Sequence, residues 1–387
     1  MIAKKSVKKD NFKKRIAIFA YFGHIAKSPS TISMIETLAE NGFFVDIFTV
    51  KYQILPLPIF ISPNIAFHFV SSINIIGLRG SKFIRYIYSA FHIINKRKYH
   101  CLIGIDQNGL IVATIIGKLL HIPVIYYSLE LFYWKDALSW KSHLKKRLEI
   151  LGHRQTIATI IQDTVRGETL VKENRISKAK LIFVPNSFIN KSYHRTKSNY
   201  LQRRFVIPKD KRIIVMAGGI GDWTMSKKLA QVAYKWPEEW VLIIHGEGKK
   251  DYLNELRPLC DGNHVILSDK MVPYTELDEL IGSAEIGLAL YENWHQGIFE
   301  MSKASGKIWQ YLRCGLPVVT MNFPSLVHLI EVENCGICVK NEKEVKIAID
   351  KIFLDYNHYS HNAVECYKKH GDFRKGFDGV LKLLKNL

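Results

Sequence analysis

Ile16-Ala17-Ile18-Phe19-Ala20-Tyr21 is an unbroken apolar run that closes on Gly23. Behind it, Ile32, Ile35, Leu38 and Ala39 recur at helical spacing from about Thr31 to Glu40, where Asn41-Gly42 stops the helix. Phe43–Val50 then returns to a strand pattern. Short strands that are apolar on both faces, separated by helices, imply a parallel sheet covered on each side.

The alternation continues through Cys101–Ile105, a helix over Leu110–Leu120, Val124–Tyr127, Thr156–Gln162 and Leu181–Val184. It breaks over 190–211, a polar and basic stretch holding Lys191, His194, Arg195, Lys197, Arg203 and Arg204, which reads as a linker. It restarts with Ile213–Met216, a Gly-rich turn, a helix near Lys227–Trp236, Val241–His245, a helix to Leu259, Val265–Leu267, a helix Thr275–Gly282 and Ile286–Leu290. After an irregular loop come a helix to Cys314 and the strand Val318–Thr320. The expected fold is α/β, with two doubly wound Rossmann-like domains in tandem and a cleft between them. The first spans 1–190, a linker 191–211 and the second 212–371, with a last helix at about 372–387 able to pack back on the first. A chain of 387 residues suits two such cores, and ligands are expected where carboxyl ends of strands line the cleft.

The net charge of +20 is unevenly placed. Residues 1–200 hold 30 Lys and Arg against 11 Asp and Glu, while residues 201–387 hold 25 against 24. A basic half of this kind attracts phosphate-rich partners, although a solvated lysine surface has the same composition. Met1 to Arg15 reads as a basic arm without the apolar segment of a signal peptide. Six scattered cysteines, with only Cys335 and Cys338 in C-x-x-C spacing, make no zinc set and fit a reducing cytoplasm. The most apolar stretch, Gly109 to Phe132, is interrupted by Lys118, His121 and Pro123, so no membrane span is expected.

The richest stretch in chemistry is Ser302-Lys303-Ala304-Ser305-Gly306-Lys307-Ile308-Trp309-Gln310-Tyr311-Leu312-Arg313-Cys314-Gly315-Leu316-Pro317-Val318-Val319-Thr320. Ser305 suits an N-cap, Gly306 allows a close approach to the backbone, and Ile308 with Leu312 forms a buried face. Gly315 ends the helix and Pro317 prevents its continuation. Free N–H groups at the helix start, with Lys307 beside them, form a site for a diphosphate. A solvated surface helix is the competing reading.

This stretch resembles the donor-binding helix of family 4 glycosyltransferases (glycosyl transferases group 1), where a small residue and Lys precede a helix ending in Gly-x-Pro-Val-Val. The resemblance implies the GT-B fold, a nucleotide-sugar donor on the second domain, an acceptor on the first, and retention of anomeric configuration. The position whose Glu binds the donor ribose in that family holds Gln310 here, and the family's other Glu falls on Ser302. By the same resemblance, Gly219 and Gly221 of the turn Ala217–Asp222, and Gly246 of His245-Gly246-Glu247-Gly248, would lie against phosphate or sugar. Each glycine suits a tight turn equally well. Lys270 and Met271, in the loop Ser268–Pro273, are candidates for the wall around the donor base, or for a plain connector.

In the first domain Glu130 follows the strand Val124–Tyr127, where a carboxylate would serve as a base or bind sugar hydroxyls, or else cap a helix. Gly23 and His24 follow the first strand on the acceptor side. With Lys307 these make up the candidate catalytic and acceptor residues. No cofactor or metal is expected, because Lys307 and the helix start supply the charge for the leaving group and the chain has no Asp-x-Asp pair.

Two basic-aromatic stretches, Lys82–Lys98 and Trp134–Arg154, fit interfacial helices on anionic lipid, with Lys145, Lys146 and Arg147 as docking charges. They also fit helices packed on the sheet with a solvated basic face. The combined expectation is a cytoplasmic glycosyltransferase at the inner face of a membrane, in bacterial cell-surface polysaccharide or glycolipid synthesis. Its partners would be a nucleotide-sugar donor, a lipid-linked or membrane-proximal glycan acceptor, and an anionic membrane surface. A nucleotide-sugar epimerase on the same frame would need a cleft rich in carboxylates and His. A nucleic-acid-binding protein would show aromatic platforms among its basic residues, and none is evident, so no nucleic acid is expected.

Overall fold

The computed structural model describes residues 14–21, 25, 28–50, 60–69, 82–176, 180–189, 194–292 and 303–387. Gly23, His24 and Ser302 lie outside them. The first sheet is built from β1 (Arg15–Ala20), β2 (Phe44–Thr49), β3 (Ile65–Phe69), β4 (Cys101–Ile105), β5 (Val124–Tyr127), β6 (Ala158–Ile161) and β7 (Leu181–Phe183). The second holds β8 (Arg212–Ile220), β9 (Trp240–Gly248), β10 (Val265–Ser268), β11 (Ile286–Ala289), β12 (Val318–Met321) and β13 (Gly336–Val339). Their orders are β3-β2-β1-β4-β5-β6-β7 and β10-β9-β8-β11-β12-β13. Every pairing in both is parallel.

The helices of the first half are α1 (Pro29–Glu40), α2 (Lys82–Ile94), α3 (Asp106–Leu120), α4 (Trp140–His153) and α5 (Thr164–Asn174). Then follow α6 (Tyr200–Phe205), α7 (Ser226–Ala233), α8 (Lys250–Leu256), α9 (Leu277–Gly282), α10 (Gly306–Arg313), α11 (Pro324–Ile330), α12 (Val345–Leu354), α13 (Tyr356–Cys366) and α14 (Phe373–Asn386). The segment read as linker thus contains a helix, and its Leu201 and Ile207 are buried in the second core. The stretch read as one helix over Trp134–Arg154 is a single 3-10 turn, Trp134–Asp136, followed by α4.

Alternation along β1 shows why the first domain needs two covers. Ile16, Ile18 and Ala20 join a cluster with Ile32, Ile35 and Leu38 of α1, whereas Ala17 and Phe19 join one with Tyr86 of α2 and Leu110 of α3. The α1 side is completed by Phe373, Phe377, Val380, Leu381 and Leu384 of α14, a stripe at helical spacing. Burial of those five side chains is worth roughly 10 kcal/mol gross, on the scale of a whole domain's net stability. Two donors from the first domain cap the end of α14. His100 Nε2 lies 2.9 Å from the Leu384 carbonyl, and Lys14 Nζ donates to the Lys385 carbonyl at 3.0 Å.

One carboxylate is buried inside the first sheet. Asp46 of β2 accepts from Arg15 at 2.6 Å and Tyr99 at 2.7 Å, with His68 Nε2 at 2.9 Å. Burial pushes its carboxyl up, but hydrogen bonds from His68, Tyr99 and Arg15 outweigh that and hold it at about 2. A carboxyl depressed in the folded state stabilises above its unfolded value, and the contribution is lost as pH falls through the folded one. Asp46→Asn should therefore cost on the order of 2 kcal/mol at neutral pH, more where Arg15 is left unpaired. The difference from the parent in urea titrations should shrink as pH falls from about 4 toward about 2.

Candidate active site in the interdomain cleft

Strand order reverses between β1 and β4 in the first sheet and between β8 and β11 in the second. In open parallel sheets a crevice opens at such a switch point, beyond the carboxyl ends of the strands. Lys307 fills the switch point of the second sheet. Its ammonium lies 5.0 Å from the centre of the Tyr291 ring, just beyond β11. It is 3.7 Å from where a Cβ on Gly218 of β8 would stand. The nitrogen is buried and has no hydrogen-bond partner among the described residues, and burial pulls it down to about 8.

The helix start is held by its cap. Ser305 Oγ accepts from the Ile308 N–H, and Tyr291 Oη lies 2.6 Å from the same oxygen. Tyr311, one turn into α10, accepts from the Ala217 N–H at 2.7 Å and donates to the Leu288 carbonyl at 3.2 Å. The helix is thereby tied to the ends of both strands that flank Lys307.

Each of the candidate glycines also has a packing reason. A Cβ on Gly306 would lie 2.9 Å from Pro29 Cγ, so this glycine lets α10 meet the first turn of α1. Cβ atoms on Gly219 and Gly221 would lie 3.1 and 2.0 Å from the ring of Trp223, which occupies that space. Gly246, with φ +144, clears the Gly218 carbonyl, from which a Cβ would stand 1.7 Å away. The glycine beside the lysine is Gly218.

Gln310 does not project free into the crevice. Its Nε2 donates to Asp278 Oδ1 at 2.7 Å, and its Oε1 accepts from Arg313 at 3.1 Å. Arg313 also pairs with Asp278 and donates to the Ile189 carbonyl at 2.9 Å. Lys270 and Met271 are exposed after β10, two strands from β8. Lys227 and Lys228 pair with Glu255 and Glu292.

Across the crevice, the loop 128–130 is fixed from three directions. Asp106, at the end of β4, accepts the Leu129 and Glu130 N–H groups at 2.8 and 2.9 Å. Gln162 donates to the Ser128 carbonyl and Arg166 to the Leu129 carbonyl, each at 2.7 Å. The side chain of Glu130 is exposed. Burial pushes the Asp106 carboxyl up to about 7 against the pull of its two N–H donors. Its φ of +54 is uncommon for a residue with a side chain. Asp106 escaped sequence reading, although its place directly after an apolar strand was a usable signal.

Asn186 was also missed, and no local pattern marks it. Its Oδ1 accepts from Ser30 of α1 at 2.7 Å, its Nδ2 donates to the Ala304 carbonyl at 2.9 Å, and its N–H donates to the Lys303 carbonyl at 2.9 Å. One side chain thus joins the first domain to the lead-in of α10.

A family model described as glycosyl transferases group 1 matches residues 212–355. Across the whole chain, the structure is similar to that of HepE from Anabaena in complex with UDP and glucose. The TM-score is 0.71 at 13% identity, covering 97% of this chain and 100% of that one. It is similar also to WaaG, a glycosyltransferase involved in lipopolysaccharide biosynthesis, with TM-score 0.67 at 13% identity over 94% and 98% of the two chains. A chitobiosyldiphosphodolichol beta-mannosyltransferase of Debaryomyces hansenii is 24% identical over 109 residues, which are 28% of this chain and 22% of that protein. The chain has the two-domain GT-B fold, and within its second domain residues 212–355 match the model of glycosyl transferases group 1.

Proposed function

We propose that the chain transfers a sugar from a nucleoside-diphosphate sugar to an acceptor held at a membrane surface. The observation that carries this reading is the buried ammonium of Lys307, without a hydrogen-bond partner among the described residues, at the start of α10 and the end of β8. An isolated buried charge is costly, and a diphosphate is the counter-ion that the position suits. When the sugar–phosphate bond breaks, negative charge grows on the departing diphosphate, and a fixed cation with helix N–H groups stabilises it most at that moment. UDP in HepE, and lipid-borne products or acceptors in the names of WaaG and the mannosyltransferase, support the donor class and a membrane-proximal acceptor.

In this reading transfer is metal-independent, because Lys307 does the work of a cation, and retains anomeric configuration. It runs at the cytoplasmic face of a membrane, in polysaccharide or glycolipid synthesis. On the acceptor side Asp106 joins Glu130 as a positioning residue, because it holds the loop that carries Glu130. Epimerisation is the second use of this frame. It would convert a UDP-sugar without any acceptor, whereas transfer releases UDP in proportion to acceptor glycosylated.

Lys307→Met tests the diphosphate site. It should abolish measurable UDP affinity in calorimetry and cut turnover by about two orders of magnitude. The empty protein should become more stable by roughly 1–3 kcal/mol, because a buried unpaired charge is removed. Normal UDP affinity in a stably folded variant would place the nucleotide elsewhere. In the parent chain, UDP affinity should hold below pH 8 and fall above it, by up to about tenfold per pH unit, as the ammonium deprotonates.

Gln310→Glu tests the ribose position. It sets a second carboxylate against Asp278 with only Arg313 to share, so it should destabilise by about 1–2 kcal/mol at pH 7 and recover as pH is lowered. UDP affinity should stay within about twofold of the parent, less than the roughly 1.5–3 kcal/mol of a charge-assisted hydrogen bond. A large gain in affinity would show that this side chain turns to the ribose.

A further inference from the structure

The helix α4 is built inside out. The residues it turns toward the sheet are polar: Lys146, Glu149 and His153 are each no more than 1% exposed. Lys146 Nζ donates to Asn174 Oδ1 at 2.8 Å and lies 3.3 Å from Glu149 Oε2. Glu149 also accepts from Gln107 at 3.1 Å, Tyr126 at 3.3 Å and Asn174 at 3.0 Å. His153 Nε2 lies 2.6 Å from Thr159 Oγ1. Lys146, expected among the docking charges, is therefore sealed inside the domain.

The residues that α4 turns to solvent are apolar. Trp140 is 70% exposed, Leu144 48% and Leu151 54%, with Leu148 on the same stripe and Leu138 standing out just before the helix. The spacing 140, 144, 148, 151 is that of one helical face. On α3, which packs against α4 where Gly152 meets Thr114, Ile115 and Leu119 are exposed as well. Around this ridge stand Lys118, Lys141, Lys145 and Arg147, all exposed. The only carboxylates in the two helices are Glu149, which is buried, and Asp106 at the cleft end of α3.

We infer that the α3–α4 face docks on the surface of an anionic lipid bilayer. Large apolar side chains rimmed by cations, with no exposed acid along α4 and Asp136 standing just before it, match the boundary between headgroups and acyl chains. A second copy of this chain fits poorly, because a two-fold contact would set one basic rim against the other. The polar inner face supplies what the docking face cannot. With its apolar residues turned outward, α4 is anchored by hydrogen bonds and one buried ion pair instead of by a hydrophobic stripe. This docking gives the proposed membrane-proximal acceptor its approach and rests on that reading for its purpose, but not for its geometry.

The test uses the full chain and sedimentation with vesicles of phosphatidylcholine alone or mixed equally with phosphatidylglycerol. The parent should sediment with the anionic vesicles, stay free of the neutral ones, and be released as salt rises. Leu144→Ser with Leu148→Ser, and separately Lys141→Glu with Lys145→Glu and Arg147→Glu, should each lower partitioning by at least about tenfold. Melting temperature and UDP affinity should stay at parental values, since none of these residues is in the crevice. Equal recovery with neutral and anionic vesicles, or none with either, would overturn the inference. So would a dimer in sedimentation equilibrium that Leu144→Ser dissolves, which would make the ridge an interface between copies. Lys307→Met should keep vesicle binding while losing UDP, so the donor site and the docking face fail separately.

Discussion

The contact between the first turns of α1 and α10 sets the geometry of the whole cleft. Gly306 has no side chain, so Pro29 packs against the helix start, and Asn186 ties the two together from below. Any larger residue at 306 would have to push α1 away, and Lys307 would move with the helix. The position of the ammonium thus depends on a contact between residues almost three hundred positions apart. Donor chemistry on the second domain is set by packing that includes the first.

Much of this architecture is legible in the chain. Apolar strands alternating with helices gave two parallel sheets because strands buried on both faces carry no polar alternation. The end of α10 was legible too: Gly315 adopts φ +76 and Pro317 follows it, a local signal with a local cause. Lys307 could be found because it stands beside a cap residue before a periodic helix. What the chain hides are choices made by tertiary contact. That Gly219 and Gly221 make room for the Trp223 ring cannot be read from their own turn. Gln310 looks like a ligand contact but answers Asp278, which comes from another helix.

Helix α4 shows the limit most sharply. Its charged residues and its leucines both recur at helical spacing, so periodicity alone cannot say which stripe faces inward. The usual assignment puts the leucines inside. Here Asn174, Gln107, Tyr126 and Thr159 offer a complete set of partners to Lys146, Glu149 and His153, and the polar stripe goes in. No property of residues 140–153 by themselves discloses that such partners are waiting.

The path of the backbone between the domains has a mechanical consequence. The chain passes from the first domain to the second near Asn186–Ile189 and returns through Tyr367–Gly371 to form α14. The two crossings touch: Ser187 Oγ donates to the Gly371 carbonyl at 2.5 Å, and Tyr367 donates to the Phe188 carbonyl. Two tethers that touch in this way act as one hinge, with the α1–α10 contact beside it. A swing about that hinge, like jaws on a rivet, would open the crevice most at its far end and least beside Asn186, where α10 begins. On the proposed reading, nucleotide entry and acceptor entry would then share one angular coordinate. A change at the rivet, however distant from the reacting atoms, alters both together.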